Sequence, residues 1–567
     1  MPSCPAMSRR HLRPPVHAPR PQAAGEVAAR HALIEAVRRH QAGDLDAAAA
    51  ACAQALRLDS RQPDALHLSA IIAHQRGDDA RARTLAEKAL KRSPRNAAYH
   101  NTLGVVLLGL GRGDAAATAF RRALALDPGH PEAHNNLGNA LMGEGRAAEA
   151  EACYRRAIAA RPDYAVGHNN LGGALRAQGR LTEAAAAYRE ALAHAPRYAG
   201  AICNLGRVLH ELGHYDDALA HYERALALDP DHAESHANRG ILLLLLGRLA
   251  EGWQEYEWRW RVRGFAGTAP EPDVPRWDGS PLAGRTLIIH AEQGLGSAIQ
   301  FVRYVPLVAG RAVEDGGRVV LECPRPLLRL FRSIASGGAV DLVAKGESLP
   351  PCDVQAPLMS LPRILGTEAE TIPACVPYLR VDPALEEQWR RRLAASPRPR
   401  VGLVWAGNPR HENDANRSMP AAALAPLLER QGITLFSLQV GASPADRAWL
   451  NQTTVQDLAP EFGDFADTAA ALGHLDLLVS VDTAAAHLAG ALGRPVWLLL
   501  PFVPEWRWML ARDDSPWYPT MQLFRQSAPG DWTGLMARVA AALDRIKDGM
   551  TGGMVASEPA EVGRSSS

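Results

Sequence analysis

At 567 residues the chain exceeds what one hydrophobic core supports, and roughly three or four lobes are expected. Lys plus Arg total 62 against 61 for Asp plus Glu, so the net charge of +1 excludes the global basic excess that draws in nucleic acid or anionic lipid, and any phosphate-bearing ligand must be held locally. The seven cysteines lie far apart, with no CxxC pair and no His at zinc-ligand spacing, which points to a reducing compartment and no metal site.

Residues 1–28 are rich in Pro, Arg and Ala and lack the continuous apolar stretch of a secretory signal, and no later segment approaches the roughly 18 apolar residues of a membrane span. A cytoplasmic chain without a transmembrane segment is expected. Residues 1–28 and the Gly/Ser-rich end, 547–567, read as disordered tails.

Between 29 and 266 the sequence repeats every 34 residues, in registers that begin at Ala29, Pro63, Ala97, Pro131, Ala165, Ala199 and Ala233. The fifteenth position is always glycine: Gly43, Gly77, Gly111, Gly145, Gly179, Gly213 and Gly247. It follows a first helix, where a left-handed C-cap is required and a side chain would be penalised. Position 20 is small throughout (Ala48 to Ala218, then Gly252), position 27 is alanine in six of seven units, and position 32 is proline in five, from Pro94 to Pro230. Two closely crossing helices per unit satisfy all four constraints. Units such as HNNLGNALMGEGRAAEAEACYRRAIAARPDY resemble the tetratricopeptide repeat, which implies an α solenoid with a concave surface for a bound polypeptide.

Position six supplies Asn136, Asn170, Asn204 and Asn238, with Thr102 in the third unit. An amide carries both donor and acceptor, so such a ladder could grip a peptide main chain, the role that resemblance to the repeats of O-linked N-acetylglucosamine transferases implies; alternatively it satisfies groups of the repeat itself. The last unit departs from the pattern. Trp253, Tyr256, Trp258 and Trp260 crowd its second helix, no tryptophan precedes them, and this end is expected to pack on the following domain.

A Pro-rich connection, 267–283, precedes short β-rich runs that alternate with amphipathic helices, the pattern of parallel sheets. The first set is Thr286–His290, a helix Ser297–Ala312, Arg318–Cys323, a helix Pro326–Ile334 and Val340–Ala344. The second is Arg400–Trp405, Thr434–Val440, Leu477–Val481 and Pro495–Leu500, with helices between. Two Rossmann-like lobes, 284–378 and 379–546, are expected, with ligand binding at the carboxyl ends of the strands.

Three strand-end loops carry candidate site residues. HAEQGLGSAIQFVRY places Gly294 and Gly296 where backbone N–H groups can approach a ligand. WAGNPRHENDANRSMP offers Asn408, Arg410 and Arg417, the arginines suited to phosphate. VSVDTAAAHLAGALGRPVWLLLP sets Asp482 at a strand end and Thr483 at the start of a helix whose free amides and dipole suit a diphosphate, with His487 as an added donor. Equally, Asp482 could be a plain N-cap and His487 a packing residue.

Together with LLPFVPEWRWMLARDDSPWYPTMQLFRQ, these segments resemble glycosyltransferases of the GT-B fold, and more closely the ADP-heptose:lipopolysaccharide heptosyltransferase family, over roughly residues 284–546. The resemblance implies a metal-independent, inverting transferase with a nucleotide-sugar donor as substrate and no cofactor. It assigns donor phosphate contacts to Asp482, Thr483, His487 and Arg417. Where that family has an aspartate proposed as base, this chain has Ser297, and Glu292, on the same loop, is the substitute. The expected function is transfer of sugar to a polypeptide recruited by the repeats; a noncatalytic repeat scaffold and a lipopolysaccharide-type transferase are the alternatives.

Overall fold

In the second to sixth units the 34-residue period resolves into one helix of 13 residues and one of 14, as in Pro63–Gln75 with Asp79–Arg92 and Pro131–Gly143 with Ala147–Ala160, whereas the second helix of the seventh unit is cut to Leu249–Tyr256. In this computed structural model, which describes residues 21–551 except 263, 266–272 and 412, all seven turn glycines have φ between +71° and +82°. A Cβ there would be strained, which is why the period is punctuated by glycine. The small residues at positions 20 and 27 explain the tight crossing: Ala48, Ala82, Ala116, Ala150, Ala184 and Ala218 are fully buried, as are Ala55 to Ala225 at the second position. The first helix, Pro21–Gln41, begins eight residues inside the stretch read as a tail, and the last, Trp532–Thr551, runs five residues into the other; residues 1–20 and 552–567 lie outside the described residues.

The chain forms two compact units, which divide at Val208 and Leu209 and not at the 267–283 connection. The seventh repeat, and the sixth from Leu209 onward, therefore belong with the sheets. Its Trp253 is buried edge-on to Phe301, Trp506 and Trp517, with ring centroids 5.3–6.5 Å apart. Arg259, which stands where six repeats have alanine, reaches Ser360 at 2.9 Å and Glu292 at 3.2 Å. Residues 267–272 lie outside the described residues, but the rest of the connection is built into the fold: the Trp277 N–H donates to the Gln355 carbonyl, and the Trp277 side chain is 5 % exposed.

The first sheet contains β1 (Thr286–His290), β2 (Arg318–Cys323), β3 (Val340–Ala344) and β4 (Val354–Pro357), all parallel in the order β3-β2-β1-β4. The helix expected over Ser297–Ala312 is broken into Leu295–Phe301, a 3-10 turn and Val305–Glu314, because Pro306 enters the first turn of the third piece without an N–H. The second sheet contains β5 (Arg400–Val404), β6 (Thr434–Ser437), β7 (Gln456–Asp457), β8 (Leu477–Val481), β9 (Val496–Leu500) and β10 (Met521–Arg525), again parallel, in the order β10-β9-β8-β5-β6-β7. Val401, Leu403, Val479 and Leu499 pack with Leu535, Met536 and Val539 of the final helix into one buried cluster. The strands β4, β7 and β10 carry too short or too mixed a pattern to stand out in the sequence.

Candidate functional site

In the second sheet the chain leaves β5 towards β6 on one side and leaves β8 towards β9 on the other, so the loops that follow β5 and β8 diverge from adjacent strand ends. This switch point is where an open parallel sheet leaves a crevice. The loop after β5 is fastened by Gln439, whose Oε1 accepts from the N–H groups of Trp405 (3.0 Å) and Ala406 (2.9 Å). Asn408 Oδ1 accepts from the Arg410 N–H at 3.0 Å and so shapes the turn, leaving Arg410 exposed. The Arg417 guanidinium lies over Gly407, where a Cβ would meet Nη2 at 2.6 Å, and is steadied by Asp414 at 3.3 Å. Of these residues, Arg417 is half-buried against Gly407, whereas Asn408 acts through backbone geometry.

The loop after β8 departs from the expectation for its side chains. Thr483 caps the helix Ala484–Ala491 with its backbone but makes no side-chain cap hydrogen bond, its hydroxyl lying 3.0 Å from Ser480 Oγ instead. The amides of the first turn are therefore left for another acceptor. Asp482 and His487 do not offer themselves to a ligand. Asp482 Oδ2 accepts from Trp508 Nε1 at 2.9 Å, Asp482 Oδ1 lies 3.6 Å from His487 Nε2, and His487 Nδ1 is 2.9 Å from the Tyr518 hydroxyl. Both ring nitrogens of His487 are engaged, and the residue is 4 % exposed, so it is a buried positioning group and not a phosphate donor. Burial alone would raise the Asp482 carboxyl, but His487, the Trp508 N–H and the Arg507 charge hold it at about 2. Burial pushes His487 down, against the pull of Asp482.

The glycine loop of the first sheet meets this segment directly. Gly294 is the exposed N-cap of Leu295–Phe301, and a Cβ on Gly296 would sit 2.9 Å from His487 Cδ2. Gly296 thus permits close approach of two helix starts. Ser297 Oγ accepts from Arg507 Nη2 at 2.9 Å. Glu292, expected as the substitute base, has a side chain with no exposed surface; it accepts from Arg259 Nη2 at 3.2 Å and from the Met359 N–H at 3.3 Å. Burial raises its carboxyl, against the Arg259 charge, and it faces the seventh repeat rather than any ligand space. That assignment is corrected to a structural ion pair.

The residues that sequence reasoning passed over sit after β9. Glu505, Arg507 and Trp508 bring the two sheets together at the helix starts: Arg507 donates to Glu505, to Ser297 and, at 2.5 Å, to Gln300 Oε1. The available signal was the run PEWRW at the end of a buried parallel strand, two charges set among two tryptophans.

The asparagine ladder is real but faces its own neighbours. Asn136 Nδ2 donates to Asn101 Oδ1 at 3.0 Å, Asn170 to Asn135 at 2.9 Å and Asn204 to Asn169 at 2.9 Å, each joining position six to position five of the preceding unit. Thr102 and His67 make the same link at 2.7 Å. Asn170 Nδ2 also reaches Asn139 Oδ1 at 3.2 Å, and its own Oδ1 accepts from Asn169 at 3.1 Å. The ladder thus staples repeat to repeat, which corrects the expectation that its amides stand ready for a peptide backbone. Asn238 lies half-buried in the helix Ala233–Leu245.

Among the described residues no cluster of His, Cys, Asp or Glu could hold a metal ion, and no helix is long and apolar enough to cross a membrane. Comparison with known proteins matches the tetratricopeptide repeat over residues 35–97, 71–131, 101–165, 135–200 and 187–220, and a TPR repeat over 206–247. The chain is 31 % identical over 317 residues to protein FlbA of Caulobacter vibrioides, a match that covers 52 % of each, so it spans about half the length of that relative. PilF of Pseudomonas aeruginosa is similar over 38 % of this chain and 98 % of its own, at 18 % identity and a TM-score of 0.34. A thermophilic TPR protein of Thermus thermophilus is similar over 32 % and 99 %, at 24 % identity and a TM-score of 0.30. The first half of the molecule is a tetratricopeptide-repeat solenoid, joined to a region of parallel sheets.

Proposed function

We propose that the two sheets form a GT-B glycosyltransferase that moves sugar from a nucleotide-sugar donor to a polypeptide gathered by the repeats, in the cytoplasm and without a metal. The observation that carries this reading is the helix start at Thr483, which has no side-chain cap and opens at the carboxyl end of β8 beside the Arg417 loop. A pyrophosphate is the ligand such a terminus suits, since its amides and dipole stabilise negative charge, and Arg417 adds a planar cation. Charge developing on a departing nucleoside diphosphate is stabilised there by the same groups. Asp482 and His487 serve by fixing the helix start, and a polypeptide held by the solenoid raises the effective concentration of acceptor hydroxyls.

The test is incubation of the full chain with UDP-, GDP- and ADP-sugars, read by thermal shift, donor hydrolysis and label incorporation into protein. Arg417→Ala should weaken donor binding roughly tenfold or more, the loss of a charge-assisted phosphate contact. Unchanged binding and transfer in that variant would reject the site. One observation favours the second reading, a scaffold without turnover: neither residue expected as base can act as one, since Glu292 is sealed against Arg259 and the Ser297 oxygen accepts from a cation. Donor binding without hydrolysis or transfer supports that reading, and activity on a purified glycolipid would instead support a lipopolysaccharide-type transferase.

A further inference from the structure

An inverting transfer needs a base for the acceptor hydroxyl, and the loop after β1 offers none. The remaining carboxylates at the helix starts can be compared by exposure and by what already binds them. Asp482 has a side chain only 10 % exposed, is bonded by the Trp508 indole, and has its carboxyl held below the usual range by His487, that indole and Arg507. Asp414 holds Arg417 and the Ser418 hydroxyl. Glu505 differs: its side chain is 30 % exposed, yet it is fixed, with one oxygen on the Arg507 guanidinium and the other on the Arg507 N–H at 3.0 Å. An ionised carboxylate has further lone pairs beyond those two.

Its position follows from the same arginine. One planar guanidinium spans Glu505 and Ser297, donating through Nη1 to the first and through Nη2 to the second, so the carboxylate of the second sheet is brought to the first turn of the glycine-loop helix. The loop is held in place from several sides. Trp508 is buried and tied to Asp482, Trp506 packs on Trp253, and the Val503 carbonyl accepts from Asn416 of the loop after β5 at 3.3 Å. Met509, next in the chain, has φ 48°, a backbone state that a non-glycine residue holds only when its surroundings impose it.

We propose that Glu505 is the general base of the transfer, a role that rests on the glycosyltransferase reading above. The acceptor oxygen forms its bond to the anomeric carbon while its proton passes to the Glu505 carboxylate. The bond from the anomeric carbon to the donor phosphate breaks, and the nucleoside diphosphate leaves with the electron pair towards the Thr483 amides. Burial and the charge of Asp482 raise the proton affinity of Glu505 above the ordinary glutamate range, against the pull of Arg507.

The experiment compares wild type, Glu505→Gln, Glu505→Asp and Glu505→Ala in the full chain, with the nucleotide-sugar that wild type turns over, measuring transfer and donor Kd. Glu505→Gln should lose transfer by at least roughly a hundredfold, the usual size of general-base catalysis, with donor Kd within about threefold of wild type. Formate should restore at least roughly tenfold of the lost rate to Glu505→Ala, because a small carboxylate can occupy the space left and accept the proton. Transfer by Glu505→Gln within tenfold of wild type overturns the assignment, as does loss of donor binding in step with transfer in both Glu505→Gln and Glu505→Asp, which marks a structural role. A wild-type chain that neither binds nor turns over any donor overturns the glycosyltransferase reading itself, a result distinct from either.

Discussion

The repeats and the two-sheet unit solve opposite problems. In residues 29–208 each demand, a left-handed turn, a small residue at a crossing, an amide link to the neighbour, is met again one period later, so no single residue is decisive. In the second unit the helix starts are held by a network met once, in which Arg259, Asp482, His487 and Arg507 have partners that no repetition backs up. The difference teaches where a mutation should be felt. Solenoid stability is a sum of similar neighbour terms, whereas a buried polar network fails as a unit.

The sharpest way to break the comparison is to remove a cation from the second unit. Arg259→Ala leaves the fully buried Glu292 carboxylate without its charge partner and should destabilise that unit by about 3–5 kcal/mol in urea unfolding, with Glu292→Gln added in the same chain recovering part of the loss. Next comes Gly296→Ala, whose methyl would press on the His487 ring; overpacking of this kind costs about 1–3 kcal/mol, and the fall in Tm should be accompanied by loss of donor binding.

A smaller effect is read with pH. Because the folded-state value of Asp482 is depressed from 3.8 to about 2, its stabilisation is complete above its unfolded-state value and disappears as pH falls through the folded one, a contribution of about 2 kcal/mol. Asp482→Asn should flatten the acid limb of the stability curve between those two values. Smallest is the repeat itself: Asn170→Ala removes a half-buried amide link and should cost about 1 kcal/mol, and the same change at Asn136 should cost a similar amount, measured by thermal unfolding. Unequal losses, or one as large as that of Arg259→Ala, would break the contrast between the two regions.

Much of this was legible. The turn glycines, the alanine crossings and the strands β1, β2, β3 and β8 were readable because each rests on a local rule, backbone sign or a short buried run. The candidate site was legible only as loops. Gly296 and the start at Thr483 were visible as backbone features, while Glu292, His487 and the asparagines were misjudged because the partner that decides a polar side chain's role lies far along the chain: Arg259 for Glu292, Tyr518 for His487, Asn135 for Asn170. Glu505 and Arg507 lie in a segment legible for its charges among tryptophans, but that local signal does not tell that they bridge the two sheets, because Ser297 and Gln300 are distant in the chain.

By itself, then, the amino-acid order determined a helical repeat of 34 residues and a succession of parallel strands, since periodicity, glycine placement and apolar runs act within a few residues of chain. Only tertiary structure decided which carboxylates are sealed and which reach solvent, that the unit holding the sheets begins at Leu209 inside the sixth repeat, and that one guanidinium joins Glu505 to Ser297. Those outcomes depend on desolvation and on hydrogen-bond partners from distant segments, and neither exists until the chain has packed.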